Sequence, residues 1–227
     1  MTLRIGDYQI SSIVTNESWC ENCYLVRHIL SNEQVIIDPG DSIESIIQCT
    51  LEQNSIVKKI LITHAHHDHI GAVDALHKRF KVPCYMHKSD TRLARQAHTY
   101  ALVMDHKRIE PFAAPFSYVN DEILEIGNNQ IKVICTPGHT SGSVCYDFGD
   151  FIFTGDTILY QHIGRTDTPG ANKKLLLSSV NQLMEQLCDE KVMFPGHGRS
   201  WTVREARKWW KDIAMMPQEY RRFGEIS

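Results

Sequence analysis

The amino-acid sequence predicts an α/β (α+β) chain in which two β-sheets pack face to face and helices cover the outside. Three observations carry that expectation. Strand-like and helix-like segments alternate along the chain, with hairpins and strands first and helices interleaved. The two halves share this layout. Finally, each of four polar motifs follows an apolar strand: LIT before His64, VICTPG before His139, FIFTG before Asp156 and VMFPG before His197. Strands ending at one edge of a sandwich would bring these motifs together on loops held by a rigid scaffold, where chemical groups usually sit.

The elements follow in order. YQISSIV (8–14), CYLVRHIL (23–30) and QVIIDPG (34–40) are rich in β-branched and aromatic residues and read as strands, the last two joined across SNE as a hairpin. From Asp41 to Gln53 the spacing of Ile43, Ile46, Ile47 and Leu51 is helical. KKILITHAHH (58–67) is a buried strand running into a loop, GAVDALHKRF (71–80) a helix and VPCYMH (82–87) a strand. A helical insert spans 88–112, with Ser89 as its N-cap and its end at Glu110 before Pro111; Leu93, Ala97, Tyr100, Ala101 and Met104 share one face, a pattern compatible with covering a pocket, with packing on the outside and with a dimer contact. DEILEIGNNQIKVICTPGHT turns at Gly127 to Gln130, and VCYDFGDFIFTGDTIL turns near Gly149. Leu175 to Asp189 reads as a helix, KVMFPGHG as a last strand, and Thr202 to Met215 as a terminal helix opened by a Thr202/Glu205 capping box.

Composition limits the function classes. At 227 residues, with 42% hydrophobic and 22% charged residues, the chain is long enough to bury a sizeable core as one domain over 1–227. A formal net charge of −3 gives no reason to expect nucleic acid or an anionic membrane as partner, which leaves a small-molecule substrate. No run approaches membrane-spanning length, and the start MTLRIGDYQISSIV lacks the pattern of a secretory signal, so a cytoplasmic protein is expected, monomer or homodimer. Seven cysteines, an odd number, fit reduced thiols, and Cys20 and Cys23 in CENC are read as ordinary ones.

The segment LITHAHHDHIGA, Leu61 to Ala72, places His64, His66, Asp68 and His69 within six residues. In an extended loop residues two apart point the same way, so His64 and His66 can approach one ion while Asp68 and His69, further along, serve a second. Imidazoles with a carboxylate suit zinc or iron, not the all-oxygen shells of calcium or magnesium. The H-x-H-x-D-H pattern arises by chance in roughly two such chains per thousand, and His139, Asp156 and His197, with matched glycine neighbours, extend it. With Asp156 able to bridge, positions stay open for water, and open positions mean catalysis. His67 is expected to face the mouth; His28, His77, His87, His98, His106 and His162 are expected at the surface or satisfied in the core.

THAHHDH at 63–69, TPGHTSGS at 136–143, FTGD at 153–156 and PGHG at 195–198 resemble the metal-binding motifs of the metallo-β-lactamase-fold hydrolases, in the same order and across nearly the whole chain. The resemblance implies a four-layer αββα sandwich of two mixed sheets. It places His64, His66 and His139 on a first metal, Asp68, His69 and His197 on a second, and Asp156 between two divalent ions, zinc foremost, with iron or manganese as alternatives. Asp38 in IIDPG matches the family's strand-end acid and is expected to fix a ligand histidine. IGRTDTPGAN at 163–172 is similar to a segment of the short glyoxalase II-type hydrolases and of the persulfide dioxygenases, both of which act on glutathione conjugates. Arg165, Lys173, Lys174 and Tyr160 are candidates to hold a carboxylate-bearing substrate.

The expected activity is attack by a metal-bridging hydroxide, formed because two cations lower the pKa of a bridging water to about 7 or below. The expected substrate is a thioester such as a hydroxyacylglutathione, with Asp68 or Asp156 carrying the proton. Two enzymatic alternatives stay open: a mono-iron persulfide dioxygenase, and a lactonase or other ester hydrolase of the same fold. A non-catalytic binding module should have lost ligands, and none is missing.

Overall fold

Alternation along the strands decides how the layers stack. In the computed structural model, which describes residues 2–15 and 19–215, successive side chains of a strand face opposite sides, and each side finds its own apolar partner. On β3 (Asn22–His28), Tyr24 and Val26 join a cluster with Tyr146, Phe151, Phe153 and Phe194, while Cys23 and Leu25 join a different one with helical residues. The first cluster lies between two sheets. Its aromatic rings meet at 4.9 Å (Tyr24 and Phe153) and 5.3 Å (Phe153 and Phe194), distances at which such pairs add to simple area burial.

One sheet has seven strands in the order β1 (Thr2–Ile5), β2 (Tyr8–Val14), β3, β4 (Glu33–Ile37), β5 (Ile56–Leu61), β6 (Cys84–His87) and β7 (Phe116–Val119). Its strands run antiparallel up to β4 and parallel from β4 to β7. Between them come α1 (Ile43–Glu52), the short α2 (His67–Ile70), α3 (Val73–Phe80) and α4 (Thr91–Asp105). The second sheet comprises β8 (Ile123–Ile126), β9 (Asn129–Cys135), β10 (Val144–Asp147) and β11 (Phe151–Gly155), and, beyond a small ribbon of β12 (Ile158–Leu159) and β13 (His162–Ile163), also β14 (Val192–Pro195) and β15 (Trp201–Thr202). Helix α5 (Lys173–Gln186) makes the crossover between the parallel strands β11 and β14, and α6 (Val203–Met215) closes the described chain.

The outer faces carry the helices. Ile46, Val73, Leu76, Ala94 and Ala97 cover the first sheet, and Leu176, Val180, Leu183, Val203 and Ala206 cover the second. Four layers result, αββα, with two mixed sheets in the middle.

Several boundaries differ from expectation for identifiable reasons. β1 and β7 carry little apolar alternation, since β1 is an exposed edge pairing only with β2 and β7 is a short edge beside β6. Ser89 is not the cap of the insert helix. It lies in a 3-10 turn, Lys88–Asp90, and α4 begins at Thr91 and ends at Asp105, where His106 adopts a left-handed conformation, well before Glu110. Helix α5 starts earlier than Leu175, because Asn172 Oδ1 accepts from Leu175 N at 3.1 Å, and it ends at Gln186. The capping box forms: Thr202 N donates to Glu205 Oε2 at 2.7 Å and Glu205 N to Thr202 Oγ1 at 3.3 Å. No helix among the described residues is long and apolar enough to cross a membrane.

Candidate metal centre

Strand ends deliver the site. β5 stops at Leu61 and releases the His64 loop into α2; β9, β11 and β14 stop just ahead of His139, Asp156 and His197. Three ring nitrogens meet first: His64 Nε2 lies 3.1 Å from His66 Nδ1 and 3.2 Å from His139 Nε2, and the latter two are 2.9 Å apart. A second group forms beside it, with His69 Nε2 at 3.2 Å from His197 Nε2 and Asp68 Oδ2 3.4 Å from His197. Asp156 reaches both groups, since its Oδ2 is 3.5 Å from His139 Nε2 and 3.5 Å from His197 Nε2, and its Oδ1 is 3.7 Å from His69 Nε2.

The outer nitrogens leave the inner ones free to serve as ligands. His139 Nδ1 donates to Arg165 O at 2.9 Å, and His197 Nδ1 to Trp19 O at 2.7 Å. A carbonyl only accepts, so in the neutral ring the inner Nε2 of each carries a lone pair. Asp38 fixes two more: Thr63 Oγ1 donates to Asp38 Oδ2 at 2.6 Å and can therefore accept from His64 Nδ1, and His69 Nδ1 donates to the same Oδ2 at 3.1 Å. Lone pairs crowded at about 3 Å repel one another unless a cation lies among them. Ligands 2.0–2.1 Å from a tetrahedral zinc ion are about 3.3 Å apart, which is close to the spacing seen. Asp156 Oδ1, buried without a hydrogen-bond partner, is the kind of orphaned acceptor a cation satisfies. The donor set fits two divalent ions, which His64, His66 and His139 and, beside them, Asp68, His69 and His197 could hold. A further grouping of Asp38, His64 and His69 is better explained by hydrogen bonds, because Asp38 also accepts from Thr63 N at 2.7 Å.

Protonation shows the same polarisation. Burial, with the neighbouring imidazoles, drives His64 well below the ordinary histidine value, and burial and His139 bring His66 to about 3. At the second group burial works the same way but is outweighed: the carboxylates of Asp156 and Asp68 raise His197 to about 10, and Asp68 and Asp38 raise His69. Asp68 and Asp156 are held below the usual carboxylate range by His69 and His197 despite their burial. A proton on His197 thus occupies, electrostatically, the place a cation would take.

Residues with no metal-ligand pattern support this arrangement. Asp90 accepts from Ala65 N at 3.0 Å, Thr140 Oγ1 at 2.8 Å and Gly142 N at 2.7 Å, fastening the two histidine loops to each other. Its carboxylate, turned to those loops, makes no cap for α4. Glu21 is fully buried, bonded to Thr15 and 4.0 Å from His69 Nδ1; burial and the nearby carboxylates push its carboxyl well above the usual range. Gly196 permits the closest approach, because a Cβ there would collide with Asp156 Oδ1 and lie 2.7 Å from His69 Cε1. Of these, only the glycine has a sequence signal, its place in PGHG.

A cavity of about 480 Å³ opens onto His66, Asp68, His139, Asp156 and His197. His67 lines it, donating from Nε2 to Asp105 Oδ2 at 3.0 Å. Leu93, Tyr100 and Met104 of α4 line it too, whereas Ala94, Ala97 and Ala101 of the same helix are buried. Arg165 is on the wall, paired with Asp167 through Nε and Nη2 at 3.0 and 2.8 Å. Lys173 and Lys174 are exposed at the start of α5, and neither is among the lining residues. Nor is Tyr160, whose ring sits edge-on to Trp201 at 5.2 Å with the Arg199 guanidinium 3.8 Å from its centroid.

Two adjoining clusters of imidazole and carboxylate at the edge of a four-layer sandwich define a metallo-hydrolase. Residues 21–197 match the model of the metallo-beta-lactamase superfamily, and the chain belongs to it. Among curated relatives, the hydroxyacylglutathione hydrolase GloC of Haemophilus influenzae is 30% identical over 205 residues, 86% of this chain and 94% of that protein. Among solved structures, the BLEG-1 B3 metallo-beta-lactamase superposes with a TM-score of 0.81 at 32% identity, covering 88% of this chain and 96% of its own. TTHA1623, crystallised in a di-iron-bound form, gives 0.72 at 29% identity over 90% and 96%.

Proposed function

We propose that this protein is a binuclear metal-dependent thioester hydrolase, glyoxalase II-like, with hydroxyacylglutathione as the reference substrate. The observation that carries the reading is the orientation of the imidazoles. Four of the five turn their outer nitrogen to an oxygen acceptor and present the inner one to a common space, with Asp156 within reach of both groups. The likeness to GloC supports the thioester, and the likeness to a di-iron structure supports two ions.

His64, His66 and His139 would hold one ion and Asp68, His69 and His197 the other, with Asp156 within reach of both groups. Divalent ions bound there supply Lewis acidity and a water that ionises near neutral pH. Asp38 keeps His69 and, through Thr63, His64 in the tautomer that binds. Asp68 and Asp156 are the carboxylates placed to take the proton of the attacking water and deliver it to the departing sulfur. In the net reaction water oxygen bonds to the carbonyl carbon, the carbon–sulfur bond breaks with its electrons going to sulfur, and a carboxylic acid and a thiol are released.

The test is to purify the chain without added metal, count ions per chain, and compare thioester cleavage with oxygen uptake on glutathione persulfide. Cleavage without oxygen consumption at two ions per chain is expected. Oxygen-dependent turnover with a single iron would overturn the reading in favour of a dioxygenase.

A further inference from the structure

We propose that the acyl group accepted here is apolar, an aliphatic or aromatic chain laid along the cavity-facing side of α4; this rests on the thioester reading above and narrows it. Beyond the metal-binding side chains the cavity wall has an apolar part, Trp19, Leu93, Tyr100, Met104, Leu159 and Pro169, and a polar part, His67, Arg165, Asp167 and Thr168, and its volume of about 480 Å³ suits a small molecule. Leu93, Tyr100 and Met104, seven and four residues apart, form a stripe along about three turns of one helix.

Charge points the same way. Arg165 is the one guanidinium or ammonium group among the described residues lining the cavity, and both of its bonds go to Asp167. Away from the metal centre, an acyl group bearing a carboxylate would have to break that pair and would find no second Arg or Lys among the described lining residues. The thiol half of a biological thioester is a polar chain of amides and charged groups, which would lose hydrogen bonds to water against such a wall. The acyl half can be apolar, and it gains from the same surface.

The stripe is fixed in place. Asp105 Oδ1 accepts from Trp19 Nε1 at 2.5 Å and Oδ2 from His67 Nε2 at 3.0 Å. An aspartate in the last turn of a helix opposes the dipole, and α4 has no basic residue there to offset it. Those two tertiary bonds account for its position. They tie α4 to Trp19, whose carbonyl also accepts from His197 Nδ1, linking the apolar wall to the reacting centre. In the step proposed, RCO–SR′ + H2O gives RCOOH + HSR′: the carbon–oxygen bond forms, the carbon–sulfur bond breaks, sulfur leaves with the electron pair and is protonated, and R is the apolar chain.

The test uses zinc-loaded full-length protein and acetyl, butanoyl, hexanoyl and octanoyl thioesters of N-acetylcysteamine, with lactoylglutathione beside them. Burial of each methylene should raise kcat/KM about fourfold, putting octanoyl about two orders of magnitude above butanoyl. The double variant Leu93→Gln/Met104→Gln, changed at part-exposed positions, should cut the octanoyl-to-acetyl ratio more than about tenfold. Independently of turnover, metal-free protein should bind the octyl thioether of N-acetylcysteamine in calorimetry with a negative heat-capacity change, and the double variant should bind it at least about tenfold more weakly. Thioester cleavage with a flat or falling chain-length profile, or no binding of the octyl thioether to the unaltered chain, would overturn the apolar assignment and leave the hydrolase reading standing. No cleavage of any thioester by zinc- or iron-loaded protein would overturn the reading itself, and the acyl assignment with it.

Discussion

Replacing Asp38 by asparagine changes one oxygen for an amide nitrogen at the point where two histidines are oriented. The backbone there is left-handed, with φ of 48°, a conformation that asparagine tolerates as aspartate does, so the fold should be kept and the chemistry isolated. Asparagine can keep Oδ1 as acceptor for Thr63 N, but its NH2 group then faces His69 Nδ1 and Thr63 Oγ1, both donors in the parent. His69 can resolve the conflict only by moving its proton to Nε2, which converts the atom facing His197 from a ligand into a donor. Loss of such an orienting partner costs about 10–100-fold in metal affinity, or about 1.4–2.7 kcal/mol. The larger share should fall on the Asp68/His69/His197 position. Competition for zinc against a chromophoric chelator, with ions counted per chain, measures it, and circular dichroism checks the fold. Wild-type affinity at both positions would refute the orienting role of Asp38.

Asp156→Ala should strip metal and thioesterase activity together, and two ions per chain in that variant, by elemental analysis, would show that Asp156 does not span the centre. Gly196→Ala should fold yet lose about a hundredfold or more in turnover, because the added methyl displaces Asp156 and His69 and an error of about 1 Å can cost that much; unchanged kinetics would contradict the close approach. Asp90→Ala leaves three buried donors without their acceptor and should cost about 3 kcal/mol in urea unfolding. pH should act through His69 and His197. Both are raised, His197 to about 10, so at pH 7 an entering ion displaces the His197 proton and affinity should rise with pH, with proton release visible in calorimetry across buffers of different ionisation enthalpy. A raised histidine stabilises the folded chain fully below its unfolded value near 6.5 and loses that contribution as pH climbs toward its folded value. Metal-free protein should therefore melt at lower temperature as pH rises from about 6.5 to about 10, while zinc-loaded protein should not show that loss.

The metal-site motifs are legible in the sequence because ligand chemistry is local: the two-residue spacing of His64 and His66 and the apolar strands ahead of each motif specify position without any knowledge of tertiary contacts. The supporting groups are not local. Asp90 meets partners at Ala65 and Thr140, and Glu21 meets His69, across intervals that leave no pattern. Ser89 and Asp90 are equally good caps by residue type, and the Asp90 carboxylate is turned to two distant loops instead of capping α4. Basic residues read the same whether they line a cavity or start a helix, so Arg165 could not be told from Lys173 and Lys174. The edge strands β1 and β7 are defined by a neighbour's unpaired backbone rather than by their own side chains.

The two sheets contribute to the centre separately. His64, His66, Asp68 and His69 hang from one, and His139, Asp156 and His197 from the other. An ion gripped from both sides is therefore a rivet through the sandwich. At a free concentration a thousand times its dissociation constant, it shifts the unfolding equilibrium by about 4 kcal/mol. Scarcity of the metal would then shorten the lifetime of the polypeptide in the presence of proteases as well as silence it.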